Sequence, residues 1–221
     1  MAMRFQTPPR PYGYAPAVPV QTLLGQVLGI TAIGLIITGF SAYVFRGVSF
    51  GPGMLAMLVG FLLLIGINVA RNNPALSLGM FYAFALLEGI GIAPVIQNYV
   101  TTVGSGVVFE AASTAGLGML ALGCIVYATG IDFRRFQGYL FVALIGLVLV
   151  GIVSAFTHFL HPTTYSWLTL LIFSGLVLVD FARIRAGGDG FTPVQLAVQI
   201  YLDAINIFLA ILQLLGRRSD D

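Results

Sequence analysis

The chain has 221 residues, of which 58% are hydrophobic and 8% charged, with a net charge of +2 and a mean hydropathy of +0.98. A soluble domain carries about 25% charged residues, so the composition indicates a one-domain integral membrane protein. Its ten basic residues are all arginines, set singly or in pairs between apolar runs. That pattern excludes the clustered basic face of a nucleic-acid binder, and the absence of lysine excludes a retinal Schiff base.

Residues 1–19 read as a disordered, Pro-rich cytoplasmic tail, with five prolines between Thr7 and Pro19. They lack the basic start, short apolar core and small-residue cleavage site of a secretory signal. Their composition also suits a proline-motif ligand. Residues 20–216 form the membrane domain and 217–221 a short polar tail.

A helix needs about 20 apolar residues to cross the hydrocarbon core. Seven segments qualify, roughly 21–45, 52–70, 75–99, 107–130, 137–160, 165–183 and 193–215, separated by Gly, Pro, Asn and Arg turn signals. Barrel strands would be about 10 residues long with alternating polarity, so the expected fold is all-α. Counting arginines with the N-terminus cytoplasmic places seven on that side and three on the other. The positive-inside rule then predicts N-terminus in and C-terminus out.

In the first segment Gly25 and Gly29 form a GxxxG pair, a signal for close helix contact. The second ends in Asn68-Val69-Ala70-Arg71-Asn72-Asn73-Pro74. Here Arg71 serves either as a topology signal or as the partner of a buried acid. The third carries Glu88 within Glu88-Gly89-Ile90-Gly91-Ile92-Ala93-Pro94. The glycines and proline weaken this helix locally, and interrupted helices often flank ion pathways. The alternative is a structural glutamate beside a proline kink.

The fourth segment, rich in small residues from Ala111 to Gly123, reads as a packing helix. Glu110 lies near its membrane end and faces water. Cys124 has no intrachain partner, so disulfides do not report the compartment. His158 and His161, near the end of the fifth, are too few to hold a metal and fit an interfacial belt with Tyr165 and Trp167.

The sixth and seventh segments hold the most informative residues. Asp180 closes the apolar run from Leu170 to Val179, and Asp203 lies inside the run from Val194 to Leu215. A carboxylate at membrane depth costs several kcal/mol and is a functional candidate by default. Gln195, Gln199, Asp203, Asn206 and Gln213 form a polar stripe spanning about 80° of the seventh helix. That face must look into the protein or toward water, either as an ion pathway or as interhelical hydrogen bonding. At about 1.5 Å per residue, Asp203 lies about 15 Å deep and Asp180 about 5–8 Å. A short Gly-rich loop makes the two helices antiparallel neighbours, so the aspartates can pair directly or through water. Two carboxylates in a dry site cannot both ionise cheaply and titrate as a unit. An arginine such as Arg71 would bind the ionised pair and close a pore.

Intramembrane aspartyl proteases also place two aspartates on neighbouring helices, but with a GxGD motif. Here Asp203 follows Ile200-Tyr201-Leu202, and the protease is rejected.

Tyr201-Leu202-Asp203-Ala204-Ile205-Asn206-Ile207-Phe208-Leu209, followed by Leu212-Gln213-Leu214-Leu215-Gly216, resembles the last-helix signature of the transmembrane Bax inhibitor motif family, bacterial branch. Val179-Asp180-Phe181-Ala182-Arg183-Ile184 resembles the family's sixth-helix ending, and Phe84 to Pro94 its third-helix signature. The resemblance covers about residues 20–216. It implies seven transmembrane helices, with the last at the centre of the other six. It further implies a pH-sensitive calcium leak gated by Asp180 and Asp203, with Arg71 as the nearest match for the latch arginine. Other members are described as cell-death suppressors or modulators of a membrane protease.

The leading expectation is therefore a pH-regulated cation leak, with Asp180, Asp203 and Arg71 as sensor and gate. Glu88, Asn206 and Gln199 are candidate pathway residues. Calcium is the candidate ion, transported or transiently bound, and no cofactor is expected. The alternative is an interaction protein that regulates a membrane protease or a stress or cell-death pathway without ion flux. A third class is a proton-coupled transporter built around Glu88. No nucleophile–base pair or cofactor motif emerges, so no enzymatic activity is assigned. Arginine without lysine, with abundant Gly, Ala and Val, points to a bacterial inner membrane.

Overall fold

A computed structural model describes residues 20–218. The expected tail 1–19 and most of the polar C-terminal segment lie outside the described residues. Seven helices follow in chain order: α1 Val20–Val44, α2 Phe50–Val69, α3 Pro74–Thr102, α4 Ser105–Thr129, α5 Gln137–Thr157, α6 Pro162–Arg185 and α7 Pro193–Arg218. A 3₁₀ turn, Phe133–Phe136, leads into α5. All seven are long and apolar enough to cross a membrane, and no strand occurs among the described residues.

The last helix is the axis of the bundle. No residue from Val194 to Gly216 is exposed. A helix apolar on most of its circumference must be surrounded, and here α1, α3, α4 and α6 pack directly on α7. The outer layer is completed by α2 against α3 and α5 against α6. Those outer helices carry much of the exposed apolar surface, including Leu55, Phe61 and Leu62 on α2 and Phe141, Val142 and Phe156 on α5. In water such a surface would drive association; here it is the lipid-facing coat.

One side of α7 is anchored by Tyr201. Its ring is fully buried, with Phe81 and Phe84 of α3 edge-on at centroid distances of 5.3 and 5.6 Å. Its hydroxyl meets Thr38 Oγ1 at 2.5 Å. Thr38 also contacts the Ala85 carbonyl at 2.9 Å, so α1, α3 and α7 are joined at one point.

Two expectations are corrected. Gly25 and Gly29 are exposed, and a Cβ at either would meet nothing within 4 Å. The close approach of α1 is instead to Gly89 of α3, where a Cβ would stand 2.7 Å from Ser41 Cβ and against the Thr38 carbonyl. The third helix is also not interrupted: α3 runs through Pro94. Proline lacks the N–H that would bond the Ile90 carbonyl, and Gly53 of α2 packs closely here. A Cβ on Gly53 would lie 3.4 Å from that carbonyl and 3.3 Å from the Gly91 carbonyl. Glycine lets α2 cover the proline site without displacing it.

A buried carboxylate pair between α6 and α7

The last turns of α6 are enclosed on every side. Six consecutive residues, Val179 to Ile184, are buried, hemmed in by α7, α4, α1 and the 3₁₀ turn. The sequence there alternates Val, Phe, Ala and Ile with Asp180 and Arg183, so both charged groups are carried inside with the apolar ones. Asp180, Arg183 and Asp203 are exposed by only 6%, 4% and 4%.

Asp180 and Asp203 are close enough to share a hydrogen bond when one of them carries a proton. The depth mismatch expected from counting residues disappears because the helix ends are offset. Gly187, Gly188 and Gly190 all have positive φ, and the turn they form folds Gly188 back against Leu196, inside the first turn of α7. The start of α7 thus stands beyond the end of α6. Ser166–Gln213 (2.8 Å), Asp180–Asp203 and Arg183–Gln199 are three rungs of one antiparallel pair.

The arginine of the cluster is Arg183. Its Nη1 donates to Asp180 Oδ1 at 2.7 Å and also to Gln199 Oε1. Its guanidinium lies over the Phe191 ring, 4.9 Å from the centroid. Arg71 is exposed in the α2–α3 turn and has no ion pair among the described residues. The expected latch role of Arg71 is therefore not supported by its position. The signal for Arg183 was its i, i+3 spacing from Asp180, which places both on one helix face.

The cluster is unbalanced. Two carboxyls face one guanidinium, and Asp203 Oδ2 is a buried oxygen with no hydrogen-bond partner. Asp180 is hydrogen-bonded and ion-paired to Arg183, whereas Asp203 makes no salt bridge among the described residues. A buried oxygen of this kind is costly unless it gains a proton, a water or a cation.

The remaining candidates divide. Gln199 joins the cluster through Arg183. Asn206 is half-buried and donates to the Leu202 carbonyl of its own helix at 2.8 Å. Glu88 is on α3, in the neighbourhood of Tyr201. The structure does not bring Glu88 or Asn206 to the pair. Gln195 and Gln213, the ends of the stripe, bond Asn68 (3.0 Å) and Ser166 (2.8 Å), which is interhelical hydrogen bonding. His158 caps α5 with φ 53°, and His161 caps α6.

Charges at the same end hold the helix termini. Arg185 donates to the Gly130 (2.9 Å) and Ile131 (2.7 Å) carbonyls beyond the end of α4, and to the Val126 carbonyl. Arg134 pairs with Asp132 at 2.8 Å and with Asp189 at 2.7 Å, tying the α4–α5 connection to the α6–α7 loop. Hydrogen bonds from Arg134 hold the exposed Asp132 carboxyl well below the usual range, at about 2.

Residues 20–220 match the family described as inhibitor of apoptosis-promoting Bax1. An uncharacterized protein of Borreliella burgdorferi is 30% identical over 90% of this chain and 93% of its own length. An uncharacterized protein of Helicobacter pylori J99 is 29% identical over 75% of this chain and 71% of its own. The inner membrane protein YbhL of Escherichia coli is 23% identical over 92% of this chain and 94% of its own.

Proposed function

This chain belongs to the Bax inhibitor family of membrane proteins, and from that premise we propose that it is a pH-sensitive cation leak gated by Asp180 and Asp203, with calcium as the candidate cargo. The observation that carries the reading is the unbalanced buried cluster: two facing carboxyls, one arginine, and one carboxyl oxygen without a partner.

With one proton shared between Asp180 and Asp203, the remaining carboxylate balances Arg183 and the cluster is neutral. Loss of that proton leaves a net charge of −1 in a sealed site between two helices. Such a charge is relieved by water, by a cation or by separation of α6 from α7. Each of these couples proton loss to the helix contact, which is what a pH-dependent gate requires. Few other charges compete at this level. Arg185 is committed to the α4 carbonyls, and Tyr127 of α4 lies near Arg185 rather than near the pair. The one ionisable side chain of α1, Tyr43, stands in its last turn beside Arg46, and Arg134 in the 3₁₀ turn is held by Asp132 and Asp189.

The same reading puts the protein in a bacterial inner membrane with the α6–α7 loop on the cytoplasmic side. YbhL is named an inner membrane protein, and the arginine count gives the orientation. The test is calcium flux into liposomes holding the purified chain, measured across pH. A role confined to regulating a membrane protease or a stress pathway predicts no flux in such liposomes and a co-purifying partner.

A further inference from the structure

Against the face of α7 that carries Ala204 and Phe208, α1, α3, α4 and α7 line a cavity of about 690 Å³. That lies within the roughly 300–1,000 Å³ range of small-ligand pockets. It forms because α1 and α4 each pack on α7 and α3 but make no extensive contact with each other. Its floor includes Ala204 and Phe208 of α7. Its open side runs past Gly39 of α1 and Ala112 and Gly116 of α4, all exposed, so it opens laterally toward lipid.

The polarity of this groove is sorted from end to end. At the rim, where α1 ends and α4 begins, lie Arg46, Gln97 and Ser105. Arg46 is exposed, has no ion pair among the described residues, and is flanked by Tyr43, its guanidinium 5.2 Å from the ring centroid. No acidic side chain lines the groove. From Arg46 inward to Thr38 is about 12 Å along α1, and the walls between are almost wholly carbon. Thr38 closes the inner end with its hydroxyl already engaged by Tyr201 and the Ala85 carbonyl, so no free polar group awaits a ligand there. A cation at the interface, an apolar channel behind it and a chemically silent end complement one kind of molecule: an anionic amphiphile.

We propose that this groove binds an anionic phospholipid, one acyl chain lying between α1 and α4 and the headgroup phosphate on Arg46. The site stands independently of the gating reading. A second copy of the chain is the competing occupant, and it would need no anionic group at the rim.

The test is native mass spectrometry of the full-length chain titrated with phosphatidylglycerol or phosphatidylcholine of the same acyl composition. It compares wild type, Arg46→Gln and Gly116→Phe. Gly116 is helical with nothing within 4 Å of a Cβ, so the phenylalanine fills the groove without a backbone clash. Thermal unfolding of each variant checks folding. Wild type is expected to retain one phosphatidylglycerol. Arg46→Gln should lower the preference for phosphatidylglycerol over phosphatidylcholine about fivefold, the worth of one basic residue near an anionic surface. Gly116→Phe should remove both lipids. Equal phosphatidylglycerol retention in all three proteins would overturn the site, as would a dimer that Gly116→Phe dissociates.

Discussion

Arg183 lies one helical turn beyond Asp180 on α6 and holds its Oδ1 at 2.7 Å, with both side chains almost wholly enclosed. From the same nitrogen it reaches Gln199 of α7, so this one guanidinium fastens the two helices that carry the aspartates. Breaking a buried ion pair by removing one partner costs about 3–5 kcal/mol, because the other charge is left behind. Arg183→Met is therefore expected to destabilise the protein by about that amount, read as a large fall in thermal unfolding temperature in detergent. Adding Asp180→Asn to Arg183→Met should restore much of the loss. A double variant no more stable than Arg183→Met would show that the pair is not the source of the effect.

Arg71 provides the contrasting case. It is exposed and makes no ion pair among the described residues, so Arg71→Gln is expected to stay within about 0.5 kcal/mol of wild type. Its flux–pH profile in liposomes should overlay the wild-type curve. A shifted profile for Arg71→Gln would return the latch role to the second helix.

Much of the fold was legible in the sequence because hydropathy alone fixes where apolar runs of membrane length begin and end. The aspartate pair was legible because acids inside such runs are rare and expensive. The partner arginine was not, because an arginine at a helix end reads equally well as a topology signal. Only packing distinguishes Arg183, enclosed by α7 and Phe191, from Arg71 in an open turn. The GxxxG pair misled for the same reason. Spacing identifies a smooth face but not whether a neighbour covers it, and Gly25 and Gly29 face outward while Gly89 receives α1.

Gly89 gives a packing prediction. A Cβ there would stand 2.7 Å from Ser41 Cβ and 3.1 Å from the Ala42 nitrogen, and backbone cannot yield as a flexible side chain can. Gly89→Ala should cost about 1–3 kcal/mol, as overpacking does. Gly25→Ala, with open space around it, should be neutral or slightly stabilising through its better helix propensity. Thermal unfolding of the two variants side by side checks both.

The Asp132–Arg134–Asp189 cluster has its own acid window. The Asp132 carboxyl is depressed to about 2 by Arg134, below its ordinary value of about 3.9. A group depressed on folding stabilises the folded state above its unfolded pKa, and that contribution fades as pH falls through the folded value. The contribution is thus complete above about pH 4 and lost toward pH 2. Between pH 5 and 8 the Asp132 carboxyl stays ionised. Asp132→Asn should leave the flux–pH profile over that range unchanged, while protease cleavage of the α4–α5 connection increases. A changed profile would place pH sensing at the helix ends rather than between α6 and α7.

The central claim is that Asp180 and Asp203 set the pH response of a cation leak. Its most direct test is calcium flux across pH in liposomes carrying wild type, Asp180→Asn or Asp203→Asn. Flux that varies with pH in wild type and is flat in both variants is the predicted result. Variants that keep the wild-type pH dependence, or a wild type that passes no calcium at any pH, would contradict it.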